Sequence, residues 1–361
     1  MKVLMLASCF PTEKEPYLCL FLKELEEQLV NYVPEHFVIS LHGYNKLKLF
    51  KRLLEIKKFN KEHNINIIHA QFGYSAGFYG SLIKRKKQAF IVTVHRFELF
   101  EKSKRPFVNF GLKRADLIIA VSNYIRKEII KLNSKLANKT IVLPNGVNTE
   151  KFAKEEIRLV KEKQEIKIGT LAHHSKRKGI DKLIKAFKLL EEENNNVSLH
   201  IGGKGPETDN LRKLAEEKGI KNIHFHGSLS EEEKVKFYQM LDIFVLSSDS
   251  EGHPVALLES MCVGVCPVVS NIPSIENTVI DKENGRIFEL EDIDELSSIL
   301  KELTENVEMI NKYKISSRKK VLEEYDLKKR ADKLSQIYKN IYEKKSYFLK
   351  RSNNNSAKIR D

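Results

Sequence analysis

The chain has 361 residues, enough for two domains with full cores, and 41% hydrophobic content beside 31% charge marks a globular protein. No apolar run approaches the length needed to span a bilayer, and the apolar part of MKVLMLASCFPTEKEP is too short for a signal peptide and reads as a first strand. The formal charge of +14 admits nucleic acid, an anionic membrane face or nucleotide substrates as partners, and a general richness in Lys, Asn and Ile that needs no partner.

Lys2 to Ser8 reads as a strand, Pro11 to Tyr17 as a loop and Leu20 to Val30 as a helix. Phe37 to Leu41 is a second strand. Residues 46–61, KLKLFKRLLEIKKFNK, form a basic amphipathic helix. Leu47, Leu49, Phe50, Leu53, Leu54, Ile56 and Phe59 make its apolar side, and seven Lys and Arg stand against Glu55. It is either a crossover helix with a solvated face or a face that docks on anionic lipid. Ile65 to His69 is a strand. Lys84 to Lys87 (KRKK) is a second basic cluster, and Ile91 to Val94 is a strand that ends in His95. Residues just past the carboxyl ends of parallel strands line the ligand crevice, which makes His95 a site residue against the alternative of a structural histidine.

Ala115 to Ser122 is another buried strand, and Ile141 to Val147 runs into a Pro-Asn-Gly turn. Ala153 to Glu165 is dense in charge and reads as a solvated linker at the domain boundary. Ile166 to Leu171 opens the second half, followed by HHSKRKGIDKLIKAF. Lys178, ahead of the helix start Gly-Ile-Asp, is either an exposed lysine or a functional one. His173 and His174 have no carboxylate or Cys to complete a metal set. Gly203 and Gly205 in GGKGPE permit close backbone approach to a ligand, with a simple turn as the alternative. Ser228 and Leu229 follow the strand Ile223 to Phe225, and Ser230 with Glu233 has the capping-box spacing.

Residues 242–270, DIFVLSSDSEGHPVALLESMCVGVCPVVS, read as strand, loop, helix, strand. Ile243 to Leu246 is apolar throughout, as in a strand buried on both faces. Pro254 suits the first helical position and Gly264 the end. Glu251 lies in the loop and Glu259 about one and a half turns inside the helix, roughly 7 to 8 Å along its axis. Between them the first-turn N–H groups of Val255, Ala256 and Leu257 form an anion site. A diphosphate there has one carboxylate on each side; two unrelated Glu residues pairing with Lys are the plain alternative. Asp292 and Asp294 read as acidic residues at a helix start rather than a metal pair. Tyr325 to Tyr342 is a long amphipathic helix. The four cysteines, Cys9, Cys19, Cys262 and Cys266, form no C-x-x-C pair and predict buried thiols in a reducing cytoplasm.

The stretch SEGHPVALLESMCVGVCPVVS resembles the donor-site signature of the retaining glycosyltransferases of family four, which have the GT-B fold. T-V-H at His95, VLPNGVNTEKF, K-G at Lys178 and the G-x-G-P turn are similar to further family segments. The resemblance implies an α/β protein of two Rossmann-like, doubly wound domains facing a cleft. The first covers 1–155 on the acceptor side and the second 166–325 on the nucleotide-sugar side. A helix over 326–345 returns to the first, and 346–361 is a basic disordered tail.

It also implies roles. Glu251 orients the donor sugar, Glu259 holds the ribose, and Lys178 neutralises the diphosphate, with His95 beside the donor. Arg177, Gly203, Gly205, Ser228, Leu229, Gly252, His253, Pro254, Val255, Ala256 and Leu257 complete the donor site. The family's G-R is replaced by Gly169-Thr170, so Arg177 or Lys176 is left to supply the second cation, and Cys19 stands where Gly is frequent. The expected reaction transfers a sugar from a nucleotide diphosphate, a UDP-sugar, to an acceptor hydroxyl in surface polysaccharide or glycolipid assembly. It needs no metal or other cofactor. The expected partners are the donor, a glycan or lipid-linked acceptor and an anionic membrane surface met by the basic first domain, with no nucleic acid; the expected place is the cytoplasm, peripheral on the inner membrane face. Two other readings stay open: a nucleotide-sugar epimerase of the same fold, and a basic membrane- or nucleic-acid-binding protein with a vestigial site.

Overall fold

The computed structural model describes residues 1–12, 15, 18–44 and 46–357. They form two compact units: Met1–Asn145 with the chain from Leu327 onward, and Gly146–Asp326. Each is built on one parallel sheet of six strands.

In the first unit the strands are β1 (Val3–Ala7), β2 (His36–Ser40), β3 (Ile67–Gln71), β4 (Ala89–Val94), β5 (Leu117–Ala120) and β6 (Thr140–Val142). They lie in the order β2-β1-β3-β4-β5-β6, which reverses direction between β1 and β3. VLMLA, IIHAQ and AFIVTV are buried along their whole length, as expected of strands covered by helices on both faces. The helix beginning at Leu327 closes one face, where Leu327, Ala331, Leu334 and Tyr338 pack on Val3, Met5, Ile67 and Ile91. Tyr338 Oη also meets the buried His69 Nδ1 at 2.6 Å.

In the second unit the strands are β7 (Ile166–Leu171), β8 (Val197–Gly202), β9 (Ile223–Gly227), β10 (Ile243–Leu246), β11 (Cys266–Ser270) and β12 (Arg286–Phe288). Their order is β12-β11-β10-β7-β8-β9, with the reversal between β10 and β7. Ser230 and Glu233 make the expected capping box, and Asp292 caps its helix by accepting from the Glu295 N–H at 2.8 Å.

Several expectations need correction. Cys9, just past β1, and Cys19, just ahead of the next helix, are joined in a disulfide, their Cα atoms 6.1 Å apart. Only Cys262 and Cys266 are buried free thiols, each pushed up to about 12 by burial. The division between units falls at Asn145–Gly146 and not in the charged stretch. That stretch is strapped to the second unit: Arg158 reaches Asp242 and the Met240 carbonyl, and Asn311 brackets the main chain of Val160. The long helix runs Leu327–Ala357, into the stretch read as a disordered tail; SYFLKRSNNNSA holds no Gly or Pro to stop it. Residues 358–361 of that tail lie outside the described residues, as do Glu13, Lys14, Pro16 and Tyr17 of the loop read over Pro11 to Tyr17.

The basic helix spans Lys46–Glu62. Leu49, Leu53, Ile56 and Phe59 pack on the core, while Phe50 and Leu54 stand 66% and 54% exposed. No helix among the described residues is long and apolar enough to cross a membrane.

Candidate functional site

In an open parallel sheet, ligands bind past the carboxyl ends of the strands where the strand order reverses. In the second unit that point lies between β7 and β10, and the loops leaving these strands carry Arg177, Lys178 and Glu251. Gly179 lets the loops touch. Its φ is +59°, and a Cβ there would lie 2.1 Å from the Ser247 carbonyl oxygen. Ser247 Oγ donates to the Lys178 carbonyl at 3.1 Å, and the Asp249 N–H donates to that of Arg177 at 2.9 Å. One hydroxyl and one main-chain hydrogen bond thus fix the loops, and the charges follow.

Lys178 Nζ donates to Glu251 Oε1 at 2.5 Å. Arg177 Nη1 lies 3.3 Å from the same oxygen and donates to the Ser250 carbonyl at 2.8 Å. Glu251 is 8% exposed. Burial pushes its carboxyl up, but the charges of Lys178 and Arg177 more than offset this and hold it below the usual carboxylate range. The pair of cations is therefore matched to an ionised acid that an anionic ligand can displace or share.

The helix Val255–Val263 starts directly after this cluster. Pro254 is its N-cap and supplies no side-chain hydrogen bond. Gly252 and Pro254 are buried, while Val255 and Ala256 are half-buried and present their main chain. Leu257 is fully buried in the core, which leaves only its main chain for a ligand. His253 is buried and packs on Tyr325, ring centroids 5.2 Å apart, and its Nε2 meets Thr278 Oγ1 at 3.3 Å.

Glu259 is 5% exposed. Its oxygens are held by Lys234 Nζ at 2.8 Å and Tyr238 Oη at 2.9 Å. Neither donor was singled out from sequence. The available signal was their spacing, four apart on the helix that the capping box at Ser230 opens, which puts both on one face.

The glycines after β8 have a reason other than ligand approach. A Cβ at Gly203 would lie 1.9 Å from the Ala172 carbonyl oxygen, and one at Gly205 would lie 2.3 Å from that of His174. The β8 loop packs on the β7 loop. His174 completes this contact, its Nδ1 2.9 Å from Thr208 Oγ1. Thr170 is buried inside β7. Ser228 is exposed and Leu229 packs on the core beside Phe237 and Leu246.

In the first unit His95 sits where β4 ends. It is 8% exposed, lies against Phe72 and Phe21 with ring centroids at 4.5 and 5.2 Å, and meets Gln71 Oε1 through Nε2 at 3.0 Å. Burial, then the charges on Arg330 and His69, keeps its pKa well below the ordinary value, so the imidazole is neutral. Glu98 fixes the loop by accepting from the N–H groups of His95, Arg96 and Gly73. Among the described residues no group of three or more His, Cys, Asp or Glu is arranged to hold a metal ion.

Comparison with known proteins bears on the fold and the family. The profile described as Glycosyltransferase Family 4 matches residues 15–151, and that described as Glycosyl transferases group 1 matches 150–320. An uncharacterised glycosyltransferase of Methanocaldococcus jannaschii is 25% identical over 305 residues, 80% of this chain and 82% of its own. The UDP-Gal:alpha-D-GlcNAc-diphosphoundecaprenol alpha-1,3-galactosyltransferase of Escherichia coli is 27% identical over 347 residues, 87% and 86% of the two chains. The solved structure of HepE from Anabaena in complex with UDP shares the fold, with a TM-score of 0.77 at 16% identity over 94% of this chain and 100% of the other. Two parallel sheets of matching architecture, and matches that together run from residue 15 to residue 320, place the chain in glycosyltransferase family four, with the GT-B fold.

Proposed function

We propose that the protein transfers a sugar from a nucleoside diphosphate donor, a UDP-sugar, to a hydroxyl of a glycan or lipid-linked acceptor, with retention at the anomeric carbon and without a metal ion. The carrying observation is the Arg177–Lys178–Glu251 cluster at the head of the uncapped helix Val255–Val263. As the bond from the anomeric carbon to the diphosphate breaks, negative charge grows on the leaving oxygens. Lys178, Arg177 and the free first-turn N–H groups stabilise that charge in place. Glu251 orients the sugar hydroxyls, and Glu259 holds the ribose. A leaving-group oxygen takes the proton of the acceptor hydroxyl as the new carbon–oxygen bond forms on the same face.

Uridine is favoured because the E. coli relative is named for UDP-Gal and HepE was solved with UDP. A polyisoprenyl or glycolipid acceptor is favoured by the diphosphoundecaprenol in that relative's name. Docking on an anionic surface is favoured by Phe50 and Leu54, exposed on a helix rich in Lys.

A screen of uridine and guanosine diphosphate sugars against glycan and lipid-linked acceptors, read by NMR and repeated with EDTA, tests the reading. The expected result is an α-linked product from an α-linked uridine donor, unchanged by EDTA. An inverted product or preference for guanosine removes that part of the reading. A new nucleotide sugar formed without acceptor establishes an epimerase instead.

A further inference from the structure

Glu259 is buried and is held by two donors from one neighbouring helix. Lys234 Nζ donates to Oε1 and Tyr238 Oη donates to Oε2. Lys234 is fixed in turn by Glu231 at 2.8 Å and by the ring of Phe152, 5.4 Å from its ammonium. Glu231 is itself paired with Lys151. One chain of charges, Lys151–Glu231–Lys234–Glu259, therefore joins three helices, and it ends on the phenol of Tyr238, which is wholly buried.

A carboxylate has about four acceptor positions, two on each oxygen. The described residues use one on each, which leaves one on each. That remainder matches a vicinal diol, which brings two donors side by side. Both protein donors stay protonated at any working pH. Burial works against the Lys234 ammonium, but Glu259 and Glu231 outweigh it and raise its pKa; burial and then Glu259 push the Tyr238 phenol far above its ordinary value.

We propose that Lys234 and Tyr238 are positioning residues for the nucleotide: they lock the Glu259 carboxylate so that its two remaining acceptor positions receive both ribose hydroxyls, and they thereby set discrimination between ribo- and deoxyribonucleotides. The inference rests on the reading that Glu259 holds the ribose. A site built around two donors rejects an analogue that lacks one, because a buried acceptor position is left unmet. A carboxylate free to turn re-forms its contacts with the single hydroxyl and discriminates less.

The test is calorimetric titration of UDP and 2′-deoxy-UDP into the full-length protein, its Lys234→Met, Tyr238→Phe and Glu259→Ala variants, and Lys234→Arg as the conservative rescue. The native protein is expected to prefer UDP by about 10- to 100-fold. Lys234→Met and Tyr238→Phe should each shrink that ratio several-fold, and Lys234→Arg should restore most of it. Equal weakening of both ligands, with the ratio kept in both variants, is the signature of a merely structural role and overturns the inference. If Glu259→Ala abolishes UDP binding while the two variants keep full discrimination, only the positioning role falls. If Glu259→Ala binds UDP as the native protein does, the ribose reading falls and this inference with it.

Discussion

At the scale of single residues, Glu251 and His69 make separable predictions. Removing the charge of Glu251 as Gln leaves Arg177 and Lys178 without their acid and takes away the group assigned to the donor sugar. Turnover is expected to fall about 10²- to 10³-fold with UDP affinity changed little, as steady-state rates beside a UDP titration will report. His69 is completely buried between Tyr338 and Thr93, and its pKa is brought down to about 3 by burial first and then by His36 and Arg330. An unfolded histidine takes its proton near pH 6.5, about three units sooner. The unfolded state therefore binds the extra proton across that interval, and stability present above it is lost as pH falls, by at most ~1.4 kcal/mol per pH unit from this group. Urea unfolding followed from pH 7 to pH 4 should show that slope, reduced in a His69→Asn variant. Glu251, Lys178 and His95 stood out in the sequence because each follows an apolar run, and the structure brings Glu251 and Lys178 together while His95 lies among Gln71, Phe72 and Phe21 of the first unit. Lys234 and Tyr238 did not, since a Lys and a Tyr on an amphipathic helix look like any surface and core pair until Glu259 is seen between them.

At the scale of elements, apolar runs located the strands, because a strand covered on both faces has no polar register to obscure it. The loops were less readable, since their glycines answer to contacts between loops. At Gly179 a side chain meets the Ser247 carbonyl as well as an unfavourable φ. Gly179→Ala is therefore expected to cost at least about 1–2 kcal/mol from the backbone conformation alone and to weaken UDP binding with it, measured by thermal melting with and without UDP. The cross-link between Cys9 and Cys19 was invisible to spacing rules, because ten residues of separation do not by themselves bring two cysteines together. It pins the helix Leu20–Leu29, whose N-cap Cys19 has φ 53°, in the left-handed region where glycine is favoured. This is the physical counterpart of the glycine expected at that position. Cys9→Ser should lower stability by about 2–3 kcal/mol under oxidising conditions and have no effect in reductant, as denaturant midpoints will show.

At the scale of the whole molecule, the boundary was read one charged segment too late, because charge density suggests a linker whereas Arg158 and Val160 are tied down. The placement at Gly146 predicts that a fragment of residues 146–326 folds alone and binds UDP, checked by circular dichroism and calorimetry. A fragment of residues 1–145 lacks Leu327, Ala331, Leu334 and Tyr338, so it should be markedly less stable and recover when the missing helix is added as a peptide.

That helix also imposes an order of events on the ribosome. Everything needed for the second sheet is synthesised before the covering of the first is complete. The nascent amino-terminal half must therefore wait with an apolar face uncovered while its successor folds, and an arrest of translation near Asp326 should leave a chain in which the later-made half is protease-resistant and the earlier-made half is bound to chaperones.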